Sequence, residues 1–295
     1  MSGYIISCCS TADLSREHFE KRDIHYVCFH FSLDRRQYTD DLGESIPFKD
    51  FYAAMAAGAE TKTSQVNADE FEKYFEGFLK QGLDVIHVCL SSGISAVMNS
   101  AVIARETLIK KYPERRIEVV DSLGASSGYG LLMDGLADRR DAGCTFDEAK
   151  DWLLDNRLKL HHWFFSVDLT FYVKGGRISR AAGWFGTALH ICPLLNMDKL
   201  GRLTPRSKIR GRKKVVQEIV LQMEDHAQGG RAYSGKCYIS HSDCIEDAKA
   251  VASLVEKWFP NLDGKVEINS VGTTIGSHTG PGTVALFFWG DERND

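Results

Sequence analysis

Residues 83–90 read LDVIHVCL, an apolar run broken only by one Asp and one His. A strand with no polar face has to be covered on both sides, which is the situation inside a parallel sheet. The run ends in the hydroxyl-rich turn SSGIS at 91–95, and a helical pattern follows from Ala96 to Lys111. RIEVVDS at 116–122 is the next strand signal, and a glycine-rich helix comes after it. Upstream, YIISCC reads as a short apolar strand that enters the polar turn STAD at 10–13. Strand, turn and helix in repetition predict a doubly wound α/β/α domain. Two further helices lie between these strands. FKDFYAAMAAG places Phe48, Phe51, Tyr52 and Met55 at helical spacing and stops at Gly58. NADEFEKYFEGFL opens with Asn67 and Glu70 at capping-box spacing, and Phe71, Tyr74, Phe75 and Phe78 form one stripe that reads as core packing.

Beyond about residue 162 the rhythm changes. WFFSV, HICPLLNM and RLTPRSKI are strand-like, with DKLGR as the turn between the last two. The helical patterns KKVVQEIVLQMEDHA and EDAKAVASLVEKWF alternate with the strands KCYIS and KVEINSV. This predicts a second α/β domain with a mixed sheet, and a division into residues 1–162 and 163–295. A length of 295 residues is ample for two such cores. The net charge of −4 argues against nucleic acid or a membrane surface as a bulk partner. No apolar run approaches the roughly 20 residues of a membrane span. The start, MSGYIISCCSTADL, lacks a basic leader region, so a cytoplasmic location is expected. The eight cysteines include no C-x-x-C pair, which points to buried thiols rather than a disulfide framework or a four-cysteine zinc site.

Ligands of open α/β sheets sit beyond the carboxyl ends of the strands. Three polar turns are candidates there: STAD, TKTSQ at 61–65, and SSGIS. Ser91, Ser92 and Ser95 precede a helix start, where free N–H groups favour an anion; the same serines also suit plain helix capping. Residues 273–286 read TTIGSHTGPGTVAL, with hydroxyls, glycines and His278 but no charge, just ahead of an apolar strand. Here glycine permits close backbone approach to a ligand, and His278 is able to donate or accept. VKGGRISRAAGWFG at 173–186 lacks the spacing of a nucleotide loop. The stretch at 199–214 carries eight Lys or Arg and no acid, as a solvated hairpin or as a surface for an acidic partner. No G-x-S-x-G elbow supports a Ser/His hydrolase. HSDC at 241–244 and the pair His161–His162 are the nearest approach to metal ligands, without recognisable ligand spacing, so no metal is expected.

Seven pieces in order resemble the DegV family of bacterial fatty-acid-binding proteins. They are STADL near the start, TSQ at 63–65, LSSGISAVMNSA at 90–101, VVDS at 119–122, KGGRIS at 174–179, KIRGRKK at 208–214 and TTIGSHTGPGT at 273–283. The resemblance implies a two-domain fold with a long-chain fatty acid between the domains. It implies a non-catalytic, cofactor-free subunit that presents the lipid to a separate fatty acid kinase subunit, related to dihydroxyacetone kinases, for acyl phosphate formation and phospholipid synthesis. By the same resemblance Thr63 and Ser95 are the carboxylate ligands, with Ser64, Ser92 and His278 nearby. Arg177, outside that cluster, is the surface that meets the kinase. The rivals are a lipid carrier or regulator without a kinase, and a Ser/His acyl hydrolase. Val66 and Asn67 after TSQ, and Ala96 and Val97 after SGIS, depart from residues frequent in the family, so pocket shape is the feature most open to variation.

Overall fold

The computed structural model describes residues 3–167, 169–179 and 191–295. The end of the glycine-rich stretch, from Arg180 on, and His190 of HICPLLNM lie outside the described residues. Strands and helices are numbered along the chain. β1 (Tyr4–Cys9), β2 (Ile24–Val27), β6 (Asp84–Cys89) and β7 (Ile117–Asp121) form a wholly parallel sheet in the order β2-β1-β6-β7. β6 is central, and all of its residues from Val85 to Cys89 are buried, as its unbroken apolarity requires. α3 (Ala68–Leu79) and α4 (Val97–Lys111) pack together over β6 and β7. The capping box at the start of α3 is present, with Asn67 and Glu70 exchanging bonds of 2.8 and 3.0 Å.

The second sheet has six strands in the order β10-β9-β8-β13-β11-β12. They are β8 (Leu160–Phe165), β9 (Ile191–Met197), β10 (Leu203–Arg210), β11 (Tyr238–His241), β12 (Glu267–Ser270) and β13 (Val284–Trp289). β11 and β12 are parallel and the other pairs antiparallel, so the sheet is mixed. Along β13 the side chains alternate. Val284, Leu286 and Phe288 enter a core under α8 (Arg212–His226) and α9 (Ile245–Trp258), while Ala285 and Phe287 join the core on the other face. The basic stretch supplies β10, the edge strand of a β9–β10 hairpin, where Lys and Arg discourage edge-to-edge pairing.

α5 (Ser126–Asp141) lies between the two sheets. It packs on β1 and on β8, β11 and β13, and is buried around most of its circumference. Its glycines make that approach possible. A Cβ at Gly128 would stand 2.2 Å from His162 Nε2, and one at Gly130 would stand 2.7 Å from the Ala12 carbonyl. Two α/β domains, the first on a parallel sheet and the second on a mixed one, are the predicted architecture; the helix layer they share at α5 was not predicted. The expected division at 162/163 falls inside β8, however, and a cut there would split a strand that pairs along its whole length with β13. We propose the division ahead of Leu160.

One local reading is corrected. TKTSQ is not a turn: β5 (Thr61–Ser64) pairs antiparallel with β3 (His30–Leu33), which also pairs with β4 (Arg36–Thr39) in a small third sheet. Phe31 of this sheet packs with Phe51, Tyr52 and Met55 of α2 (Phe48–Ala56). The stretch that opens at Thr273 is a helix, α10 (Thr273–Thr279), despite its weak helix formers. Asp40, far away in sequence, caps it: Asp40 Oδ1 accepts from the Thr273 N–H at 3.2 Å and from its hydroxyl at 2.7 Å.

Candidate functional site

α10 and β5 meet where the small third sheet leans over the gap between the domains. β5 sets Thr63 inward by strand alternation, and α10 carries His278 in its last turn. Thr63 Oγ1 and His278 Nε2 are 2.8 Å apart. His278 Nδ1 is buried and has no hydrogen-bond partner among the described residues. It fits against Gly175, where a Cβ would stand 2.3 Å away. Burial, and after it the charge of Arg177, pushes the imidazole down to about 4, so the ring is neutral at pH 7. The tautomer that leaves no buried N–H unpaired has its proton on Nε2. It then donates to Thr63, whose own hydroxyl proton is left to point at a ligand.

Ser95 faces the same space from the turn after β6. Its Oγ accepts from the Val97 N–H at 3.2 Å, which leaves its hydroxyl proton to donate elsewhere. The turn is held across the domain interface, since Ser91 Oγ donates to the Gly201 carbonyl at 2.8 Å. Gly93 packs so tightly there that a Cβ would stand 2.5 Å from that same oxygen.

These groups border a cavity of about 380 Å³ between the domains. Phe29, Leu90 and Ile94 line it from the first domain, and Phe164, Met197 and Phe287 from the second. Thr63, Ser64, Ser95, His278 and Arg177 all belong to its wall, with Ser64 exposed. Ser92 does not. It is exposed, and its N–H donates to Asp121 Oδ1 at 3.2 Å.

Arg177 is not outside the hydroxyl cluster, as the sequence reading had it. The glycine turn after α7 (Thr170–Lys174) folds the guanidinium back, so that Nε donates to the Ile94 carbonyl at 3.2 Å and Nη1 to Gly175 at 2.6 Å. One cation therefore stands beside the neutral groups.

Sequence reasoning missed a second polar patch in the wall. Ser126 Oγ lies 2.9 Å from Ser240 Oγ and donates to the buried carboxyl of Asp13, and His162 lies nearby. Burial pushes the Asp13 carboxyl well up from its ordinary range. Ser126 and Ser240 come from different domains: Ser126 stands in SLGASSG just after β7, a hydroxyl-rich stretch that could have marked it, whereas Ser240 lies within β11.

Fold and site define a class: two α/β domains around an apolar cavity whose wall, among the described residues, holds a small set of oriented hydroxyls, two neutral imidazoles and one guanidinium. The chain matches the model of a family described as "Uncharacterised protein, DegV family" over residues 6–291. It is 36% identical over 293 residues to a DegV domain-containing protein of Clostridium perfringens, covering 99% of each chain. The chain belongs to the DegV family. Among similar solved structures is a Thermotoga maritima protein described as revealing a fatty acid binding function, at TM-score 0.80 and 26% identity over 99% of this chain and 100% of that one. Another is the Streptococcus pneumoniae Fatty Acid Kinase (Fak) B3 protein loaded with linoleic acid, at TM-score 0.83 over 99% of this chain and 100% of that one. At 21% identity that second likeness carries the fold alone.

Proposed function

We propose that this chain binds a long-chain fatty acid in the interdomain cavity and presents its carboxylate to a separate kinase subunit for acyl phosphate formation. The observation that carries the reading is the Thr63–His278 pair in the wall of an otherwise largely apolar cavity of about 380 Å³. That volume falls in the range of about 300–1,000 Å³ usual for small-molecule sites. The Thermotoga maritima neighbour supports a fatty acid as the occupant. Apolar lining supplies affinity at about 0.8 kcal/mol per buried CH₂, and neutral donors hold the head group without locking it in place. An acyl hydrolase is the weaker reading. Thr63 and His278 resemble a nucleophile and base, but no carboxylate orients Nδ1 among the described residues.

Mass spectrometry of lipid extracted from the purified protein is expected to return one long-chain fatty acid per chain. Protein that stays unliganded after incubation with oleate would refute the reading. Thr63→Val keeps the shape but removes the relay hydroxyl, and oleate affinity should fall about tenfold, with Ser95→Ala costing about fivefold. Unchanged affinity in both variants moves the head group elsewhere.

The kinase step rests on the family resemblance and on Arg177. Because Arg177 lies in the cavity wall, Arg177→Ala should lower oleate affinity only a few-fold. With added fatty acid kinase subunit, it should lower the rate of acyl phosphate formation at saturating oleate by about tenfold or more. Equal losses in affinity and rate would leave Arg177 a lipid ligand only. No acyl phosphate from the unsubstituted chain would favour a carrier without a kinase.

A further inference from the structure

The pair His161–His162 sits on β8, and strand alternation sends the two rings to opposite faces of the second sheet. His162 faces α5 and the interdomain cavity. His161 faces away from it, toward the C-terminal end of α8. There it stacks between His226, with ring centroids 4.9 Å apart, and Phe288, at 5.2 Å. Asp291, two residues past β13, completes the group.

We propose that His161, His226 and Asp291 bind one divalent metal ion of the zinc class. His161 Nε2 lies 2.9 Å from Asp291 Oδ1, and His226 Nδ1 lies 3.2 Å from the same oxygen. One ligand atom from each residue falls within 4.8 Å of the others, and no other trio of such groups among the described residues does so. Ligands about 2.0–2.1 Å from a tetrahedral ion stand about 3.3 Å apart, close to the two distances to Asp291 Oδ1, and the stacked His161 and His226 rings must turn so that both lone pairs aim at one point. Two imidazole nitrogens and one carboxylate suit zinc or its neighbours in the first transition row, not magnesium or calcium, which prefer oxygen. Binding requires each ring to carry its proton on the nitrogen turned away from Asp291, so His161 Nε2 has to give up its 2.9 Å hydrogen bond to the Asp291 carbonyl.

The backbone holds the three residues in place without an ion. The Asp291 N–H donates to the His226 carbonyl at 3.0 Å, the Gln228 N–H donates to Trp289 at 3.1 Å, and the Gly290 N–H donates to Lys159 at 2.8 Å. Gly290 is what lets the tail lie so close: a Cβ there would stand 2.2 Å from the His226 carbonyl and 2.8 Å from the His161 ring. The Asp291 side chain is well exposed, and His226 and Asp291 open on a surface hollow that shares no lining residue with the interdomain cavity. An ion has a route in, and a water or outside ligand has room for the fourth position. Once bound, it joins β8, α8 and the chain after β13.

The test uses the full chain, stripped with a chelator and kept reduced. Titration with Zn²⁺ should show one equivalent bound, and Co²⁺ should give visible absorption of low-symmetry coordination by nitrogen and oxygen. Mg²⁺ should give neither signal. His226→Ala and Asp291→Asn should each weaken Zn²⁺ binding by about tenfold or more. Asp291→Asn changes one exposed side chain, so it remains informative even if His226→Ala folds poorly. Absence of stoichiometric binding overturns the proposal, as does binding that survives both substitutions. A thiolate-to-cobalt charge-transfer band would assign the ion to one of the eight cysteines and overturn it equally.

Discussion

Ala285→Trp is expected to cut oleate affinity by more than about 100-fold while the protein still folds. Ala285 stands on β13 in the middle of the second sheet, and its side chain points into the interdomain cavity. Its neighbours Val284 and Leu286 point the other way into the α8–α9 core, so the substitution leaves that core untouched. An indole at 285 takes the space of several methylenes of a bound chain. Excluding four of them at about 0.8 kcal/mol each removes about 3 kcal/mol, a factor of roughly 200 in affinity. Overpacking of a filled core typically costs about 1–3 kcal/mol, but a ring that enters a cavity of about 380 Å³ meets less resistance. Circular dichroism and thermal melting of the variant check the fold, and displacement of a fluorescent fatty acid checks the affinity. A folded variant that binds oleate as before would show that the chain lies elsewhere.

The parallel sheet was legible because β6 is apolar along its length, and only a doubly covered strand tolerates that. The capping box of α3 and the stripe of Phe71 and Phe75 were legible for a similar reason, since both are local patterns set by helical spacing. The third sheet was not. Thr61–Ser64 has no apolar face, and it is a strand only because β3 offers a pairing edge. The helical state of α10 was hidden in the same way. Its stability comes from Asp40 at its N-terminus and from Tyr52 beneath Gly276, where a Cβ would stand 2.4 Å from the hydroxyl.

For the candidate site, the hydroxyl-rich turn after β6 is readable from spacing, whereas the grouping of Thr63, Ser95 and His278 came from the family resemblance; all three line the cavity, Thr63 from a strand and His278 from a helix. Arg177 was misplaced because a glycine turn can send a long side chain outward or back, and spacing does not distinguish the two. His161 and His226, 65 residues apart in sequence, are neighbours only through the packing of α8 on the second sheet.

Asp134→Ala is expected to destabilise the protein by about 3 kcal/mol, because it removes the common anion of a buried charge cluster between the domains. Asp134 on α5 is almost wholly buried. His18 Nε2 from α1 (Arg16–Lys21) lies 3.3 Å from its Oδ1, Arg22 Nε lies 3.2 Å from the same oxygen, and Lys236 of the second domain pairs with Oδ2. The other ring nitrogen of His18 is 3.1 Å from Glu267 Oε1, also in the second domain. A histidine with a carboxylate at each nitrogen is doubly protonated. Burial works against that charge, but the bonds to Asp134 and Glu267 outweigh it and raise the His18 pKa to about 9. Without Asp134, His18, Arg22 and Lys236 would face one another across the buried side of the cluster, with only Glu267 on His18 and the more exposed Asp138 and Asp141 on Arg22 and Lys236 to offset them. Asp138 also touches Arg22, at 2.6 Å, but stands half exposed, so Asp138→Asn should cost less than about 1 kcal/mol. The pH dependence follows from the sign of the His18 shift. A raised pKa contributes stability that is complete below about 6.5, the unfolded value, and is lost as pH rises through about 9. Burial tends to raise the Asp134 pKa, but its partners win and hold it well down, so its own contribution is lost only in strong acid. Urea unfolding should therefore show stability falling by about 2–3 kcal/mol between pH 6.5 and 9.5, and His18→Gln should flatten that fall. A decline as steep in His18→Gln as in the unsubstituted chain would assign the pH dependence to other groups. An Asp134→Ala cost no larger than that of Asp138→Asn would show that solvent already screens the cluster.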